Sequence, residues 1–345
     1  MLRIVLLFLT LNFYLVASDL ESKISNMIVI GFDGYDVNKS SDLFEHPLGG
    51  VILFDKNIQN PKQLEKLIFK LKRFSKNRLL VTVDEEGGLV SRVGKVEGFV
   101  KTPSAKDIAL KSKEDAKKDY KNMASMLHGL GVNCNLAPSV DLSVNPQNRV
   151  IVKNKRSYSK EPEVVVEYAS IFIKEMQKNG VLSVVKHFPG HGSSLGDSHD
   201  GFVDVSDTWT KKELIPFETL IKNGMAKMVM TAHIYNKNID TKYPATLSCK
   251  TNHDMLREHL GFKGVLISDD LQMGAISKKY TLQETLKLAI NSGVDLLLFA
   301  NQISKPVKIE KIISCVVKLV ESGKIDIKTI EKANKRIEIL KRGLL

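Results

Sequence analysis

The stretch "FKGVLISDDL" (262–271) runs Val265, Leu266 and Ile267 together without a polar break, then sets down two carboxylates, Asp269 and Asp270. An apolar run without alternation is the pattern of a strand covered on both faces, as in a parallel sheet. The same build recurs in "MIVIGFDG" (27–34), "GGVILFDKN" (49–57), "RLLVTVDEEGG" (78–88) and "GVNCNLAPSVDL" (131–142). It returns in "VLSVVKHFPG" (181–190), "AKMVMTAHI" (226–234) and "GVDLLLFAN" (293–301).

Amphipathic runs separate these strands. "PKQLEKLIFKLKRFSK" (61–76) puts Leu64, Leu67, Ile68, Leu71 and Phe74 on one stripe, with Asn60 as a cap and Pro61 at the first helical position. "DIKTIEKANKRIEILKR" (326–342) repeats the design, with Asp326 as cap and Ile327, Ile330, Ala333, Ile337 and Leu340 on the stripe. Further helices are predicted near 113–130, 160–179, 211–223, 251–260, 281–291 and 305–322. Eight strands alternating with helices predict an α/β fold, a (β/α)8 TIM barrel, with an open doubly wound sheet as the alternative. No GxGxxG follows a strand and no GxxxxGK[ST] occurs, which argues against a nucleotide site. With no internal repeat or linker-like composition, residues 19–345 read as one domain.

The 345 residues are 43% hydrophobic and 26% charged, enough apolar content for a sizeable core. The net charge of +12 fits a lysine-rich solvated surface or attraction to an anionic polymer. Without an arginine-rich block or an RNP-type aromatic motif, nucleic acid is not expected as a partner. At the N-terminus Arg3 precedes an apolar run from Ile4 to Val16, and Val16-Ala17-Ser18 lead to Asp19. That run is short for a membrane span, so residues 1–18 are read as a signal peptide, with an uncleaved anchor as the alternative. The expectation is an exported, periplasmic protein with no stable membrane insertion after cleavage. Cys134, Cys249 and Cys315 are scattered with no CxxC, so buried thiols are the default and one disulfide stays open.

Polar residues gather where the strands run out: Asp84, Lys186 with His187, His233, and Asp269 with Asp270. In barrel enzymes that face carries the chemistry. Asp269 is the candidate nucleophile, because an apolar strand holds its carboxylate rigidly; the competing role is a helix cap. The segment "KHFPGHGSSLGDSHDG" (186–201) holds Asp197 two residues before His199, close enough for the carboxylate to orient an imidazole acting as acid and base. Its Gly190, Gly192, Gly196 and Gly201 predict a bent, movable loop. A zinc site from His187, His191, Asp197 and His199 is disfavoured, because Pro189-Gly190 break the helix an i,i+4 histidine pair would need.

Six segments resemble glycoside hydrolase family 3, in particular its single-domain bacterial β-N-acetylglucosaminidases (β-hexosaminidases) of peptidoglycan recycling. They are "DEEGGLVSRV" (84–93), "KRSYSKEPE" (155–163), "KHFPGHG…DSH" (186–199), "MVMTAHI" (228–234), "PATLS" (244–248) and "GFKGVLISDDLQMGAI" (261–276). The resemblance implies a retaining exo-β-N-acetylglucosaminidase that takes terminal GlcNAc from muropeptides through a glycosyl-enzyme. It implies Asp269 as nucleophile, His199 supported by Asp197 as acid/base, and Asp84, Arg92, Arg156, Lys186 and His187 as sugar-binding residues. No cofactor and no metal are implied, and a monomer is expected. "RSYS" stands where many relatives have Arg-x-Phe-Gly, and many relatives are cytoplasmic, the alternative location. Two other functions fit the same residues: a GlcNAc phosphorylase, and an exported sugar-binding protein without turnover.

Overall fold

The computed structural model describes residues 19–198, 200–302 and 305–344. The 1–18 segment, and with it the signal-peptide reading, lies outside the described residues. Eight parallel strands form one sheet. They are β1 (Ile28–Gly31), β2 (Gly50–Leu53), β3 (Leu80–Val83), β4 (Cys134–Asn135), β5 (Leu182–Phe188), β6 (Met228–Thr231), β7 (Val265–Ile267) and β8 (Leu297–Phe299). Each pairs with its sequence neighbour, and β8 pairs with β1. A parallel bridge between Ile267 and Leu296, with Ser268 N donating to Leu296 O at 2.9 Å, closes the ring between β7 and β8. The fold is the (β/α)8 barrel rather than the open sheet.

Burial explains the sequence pattern. Every residue of β1, β2, β3, β6, β7 and β8 is buried, since the helices cover one side and the barrel interior the other. The strands are shorter than the apolar runs that predict them, and β4 is reduced to two residues. There Asn135 takes over the ladder beside β3: its Oδ1 accepts from Glu85 N at 3.0 Å and its Nδ2 donates to Glu85 O at 2.8 Å. Single bonds carry the contact onward: Leu136 N donates to Val83 O at 2.8 Å, and Ala137 O and Pro138 O accept from Val184 N and Lys186 N, while Pro138 has no N–H of its own to donate.

The helices follow their predicted caps. Asn60 Oδ1 accepts from Gln63 N at the start of Pro61–Phe74, which buries Leu64, Leu67, Ile68 and Leu71. Asp326 Oδ1 accepts from Lys328 N at the start of Ile327–Arg342. The expected helix at 211–223 is divided into a tight turn, Lys211–Leu214, and a helix, Ile215–Lys222. Pro216 cannot donate back to Lys212, so the two pieces do not merge. The segment Lys250–His259 winds as a wide π-type helix rather than an α-helix, and nothing in its contacts explains why. The three cysteines are free: Cys134 buried, Cys315 half-buried, Cys249 exposed. Among the described residues no helix is long and apolar enough to cross a membrane.

Candidate active site

The C-terminal ends of the strands converge on a cleft of about 210 Å3. Asp84, Arg92, Arg156, Lys186, His187, Asp197 and Asp269 all line it, so seven of the eight expected site residues face one cavity. The eighth, His199, lies outside the described residues.

β3 is followed by Asp84-Glu85-Glu86, and the extended backbone sorts these acids by alternation. Asp84 and Glu86 point to one side, where each places an oxygen 2.7 Å from Lys186 Nζ. Glu85 points to the other and accepts from Ser91 Oγ and from the backbone N–H groups of Arg92, Val93 and Gly94. Those bonds fold the turn that carries Arg92, whose guanidinium lies 5.5 Å from the Phe54 ring centroid. Arg156 reaches Glu86 with two bonds, Nε to Oε2 at 2.9 Å and Nη2 to Oε1 at 2.7 Å, and its Nη2 sits 3.1 Å from His187 Nε2. His187 Nδ1 lies 2.6 Å from Asp141 Oδ2.

These groups form one buried chain: Asp84, Lys186, Glu86, Arg156, His187, Asp141. Burial disfavours the Glu86 carboxylate, but the charges of Arg156 and Lys186 outweigh that and hold its pKa well below the carboxylate range. Burial likewise disfavours the Lys186 ammonium, yet Asp84 and Glu86 raise its pKa and keep it charged. The Asp141 carboxyl is pushed up by burial and pulled down further by His187 and His191, to about 2. The chain therefore presents fixed charges to whatever enters the cleft.

Across the cleft stands Asp269, just beyond β7. Its Oδ1 accepts from Asp270 N at 2.8 Å. It does not cap a helix, since the next one, Gly274–Ser277, has Met273 as its N-cap. Asp270 is tied down in turn: its Oδ1 accepts from Gln272 N and Ala300 N, and its carbonyl accepts from His233 Nε2 at 2.8 Å. His233 thus steadies the backbone that presents Asp269. Asp197 reaches the cleft from the loop after β5.

Four contributors were not singled out as site residues: Glu86, Asp141, His191 and Glu213. Glu86 was legible, because period-two alternation puts it on the face of Asp84. Asp141 and Glu213 carry no local signal, since their partners lie 46 and 21 residues away. His191 was weighed only as a metal ligand. It is instead a buried imidazole with Nδ1 2.8 Å from Ser194 Oγ, and burial lowers its pKa to about 4.

Opposed shifts give a pH prediction. His191 falls from 6.5 to about 4, so the unfolded chain binds that proton first and stability drops as pH falls through this range. Burial raises Glu213 from 4.5 to about 7, so the folded chain binds that proton first and stability rises as pH falls from 7 to 4.5. Each shift is worth roughly 3 kcal/mol at 1.36 kcal/mol per unit, and they offset. Glu86 and Asp141 carry depressed pKa values, so their contributions are lost only below about pH 4.5. Thermal unfolding is expected to change little from pH 7 to 4.5 and to fall steeply below. In Glu213→Gln the decline is expected to start near pH 6.5.

A parallel barrel whose mouth sets a steadied carboxylate opposite a buried row of hydrogen-bonding charges has the architecture of a barrel enzyme with its site at the C-terminal face. The chain belongs to glycosyl hydrolase family 3: the sequence profile of the Glycosyl hydrolase family 3 N terminal domain matches residues 19–340. It is 35% identical over 292 residues to a beta-hexosaminidase of Psychromonas ingrahamii, covering 82% of this chain and 85% of the relative. It is 33% identical over 324 residues to Beta-hexosaminidase A of Pseudoalteromonas piscicida, covering 87% of this chain but only 54% of that longer relative. Among solved structures, the family 3 beta-N-acetylglucosaminidase of a Paenibacillus species is 33% identical with a TM-score of 0.86, over 94% of this chain and 62% of that one. The Beta-N-acetylhexosaminidase of Beutenbergia cavernae is 25% identical with a TM-score of 0.85, over 94% and 98% of the two chains.

Proposed function

We propose that this chain is a retaining exo-β-N-acetylglucosaminidase, acting as a monomer outside the cytoplasm on terminal β-linked GlcNAc of peptidoglycan fragments. The observation that carries the reading is Asp269, fixed at the mouth opposite the Asp84–Lys186–Glu86–Arg156 chain and in the same cleft as Asp197. Asp269 attacks the anomeric carbon while the glycosidic C–O bond breaks, forming a glycosyl-aspartate. His199, the expected acid/base, gives its proton to the departing oxygen, then takes one from the water that releases the sugar with its configuration kept. Asp84 accepts from sugar hydroxyls, while Arg92, Arg156, Lys186 and His187 donate or orient.

Size supports removal of a terminal unit. The cleft falls below the roughly 300–1,000 Å3 typical of drug-sized ligand sites, which suits one ring rather than a chain passing through. The names of the solved relatives support the N-acetylated sugar. The apolar N-terminus supports export, and the +12 charge suits anionic muropeptides.

Incubating the protein with GlcNAc–anhydroMurNAc disaccharide and weighing the products tests the substrate. Free GlcNAc, released first as the β-anomer by NMR, is the expected result. Intact disaccharide overturns the substrate; sugar 1-phosphate appearing only with added phosphate replaces hydrolysis by phosphorolysis.

A further inference from the structure

The loop that brings Asp197 to the cleft leaves β5 through a turn, His191 to Ser194, whose backbone is fully bonded. His191 N donates to Asp141 Oδ1 at 2.7 Å, and Asn148 Nδ2 donates to His191 O at 2.8 Å and Gly192 O at 3.1 Å. Asn145 Nδ2 donates to Ser193 O at 3.3 Å and Ser194 O at 2.9 Å, and Ser194 N donates to His191 O at 3.3 Å. Two consecutive N–H groups remain, on Gly192 and Ser193. Both donate to Glu213 Oε2, at 2.9 and 3.2 Å.

Glu213 comes from the tight turn Lys211–Leu214 and is 1% exposed. The fit around it is close. A Cβ on Gly190, at φ +118°, would meet Glu213 Cβ at 2.6 Å, and one on Gly192 would meet Leu142 O at 1.8 Å. The rigid part ends there: the next residue, Leu195, is 63% exposed. The chain is held again at Ser198, which is 2% exposed and whose carbonyl accepts from Ala275 N at 3.0 Å, so Asp197 is carried on a short span between two fixed points.

We propose that Glu213 is a positioning residue for proton transfer, fixing the 191–194 turn as the rigid base from which the chain leads to Asp197 in the cleft. It touches neither sugar nor reacting atoms and acts only through the loop. The inference rests on the hydrolase reading above. Two buried N–H groups would lose their acceptor without it, and the loop would leave its base in more than one direction.

Leaving-group dependence tests this, because a poor leaving group needs the proton and an activated phenol does not. For Glu213→Ala, kcat/KM on GlcNAc–anhydroMurNAc is expected to fall at least about tenfold further than on the 2,4-dinitrophenyl β-N-acetylglucosaminide, a fraction of the 10²–10⁴-fold that general acid catalysis supplies. Glu213→Gln, whose side-chain oxygen still accepts both N–H groups, is expected to restore the wild-type ratio. Should Glu213→Ala fail to fold, Glu213→Asp, too short to reach both groups, is expected to show the same imbalance. An equal fall on both substrates overturns the positioning role while leaving the hydrolase reading intact. A wild-type protein that cleaves neither substrate overturns both.

Discussion

Asp269→Ala is expected to lower turnover of an aryl β-N-acetylglucosaminide by at least about 10³-fold, ~4 kcal/mol of transition-state stabilisation. In the proposed mechanism no glycosyl-enzyme forms without the carboxylate, while the other groups proposed to bind the sugar remain, so the loss is expected on kcat rather than KM. Asp269→Asn gives a matched variant, because its side-chain oxygen can still accept from Asp270 N as Asp269 Oδ1 does at 2.8 Å. Its melting temperature should therefore stay near that of the wild type while its activity disappears. Azide separates the nucleophile from the acid/base. In Asp269→Ala, azide entering the space of the lost carboxylate should attack the 2,4-dinitrophenyl glycoside from the face opposite the leaving group and give the α-glycosyl azide. A β-glycosyl azide would place residue 269 on the proton-transfer side, and unchanged turnover in a folded variant would remove it from the chemistry.

The barrel was legible because its strands are buried on both faces. Continuous runs such as Val265–Ile267 have few alternatives in a chain whose other runs carry a helical stripe and a cap. Boundaries were less legible where side chains replace backbone: Asn135 stands in for a ladder partner, and β4 takes only two residues of the twelve-residue run 131–142. The site was legible to the extent that its residues sit at strand ends. Asp84, Lys186, His187 and Asp269 follow or finish strands, so position along the chain gives position at the mouth. Arg156, by contrast, lies in a loop between β4 and the helix Pro162–Lys178, and only the family resemblance pointed to it. Its neighbour Tyr158 stands at the Phe of the common family pattern and is buried with its hydroxyl 2.8 Å from that of Tyr120, so the departure from the pattern is absorbed by a hydrogen bond away from the Arg156–Glu86 pair. Glu213 and Asp141 were out of reach, because each is defined by a turn it bonds and not by its own surroundings in sequence.

Glu86→Ala is expected to be the most destabilising single change at the site, by about 3–5 kcal/mol, the range found when one partner of a buried ion pair is removed. Glu86 has 4% side-chain exposure and accepts from both Arg156 and Lys186, whose own exposures are 10% and 2%. Removing it leaves the guanidinium unpaired at its carboxylate end and Lys186 with Asp84 alone. Both cations stay in the cleft wall with little exposure, so the cost approaches that of a poorly paired buried charge rather than of one lost contact. Glu86→Gln preserves the shape and one acceptor but not the charge, and should fall between. An exposed pair supplies the control: Lys70 and Asp36 also approach to 2.7 Å, but with side-chain exposures of 38% and 66%. Asp36→Ala should leave the unfolding midpoint within experimental error, since water solvates the Lys70 ammonium that remains. Activity should track the same distinction. Arg156 is held against His187 by its bonds to Glu86, so in Glu86→Ala the wall proposed to bind the sugar is expected to lose its order and KM to rise together with the fall in stability. Chemical denaturation of the three variants, paired with KM on one aryl glycoside, decides the matter. A Glu86→Ala protein as stable as Asp36→Ala would mean that water reaches Lys186 and Arg156, and that the wall of the cleft is not the dry, fixed row of charges described here.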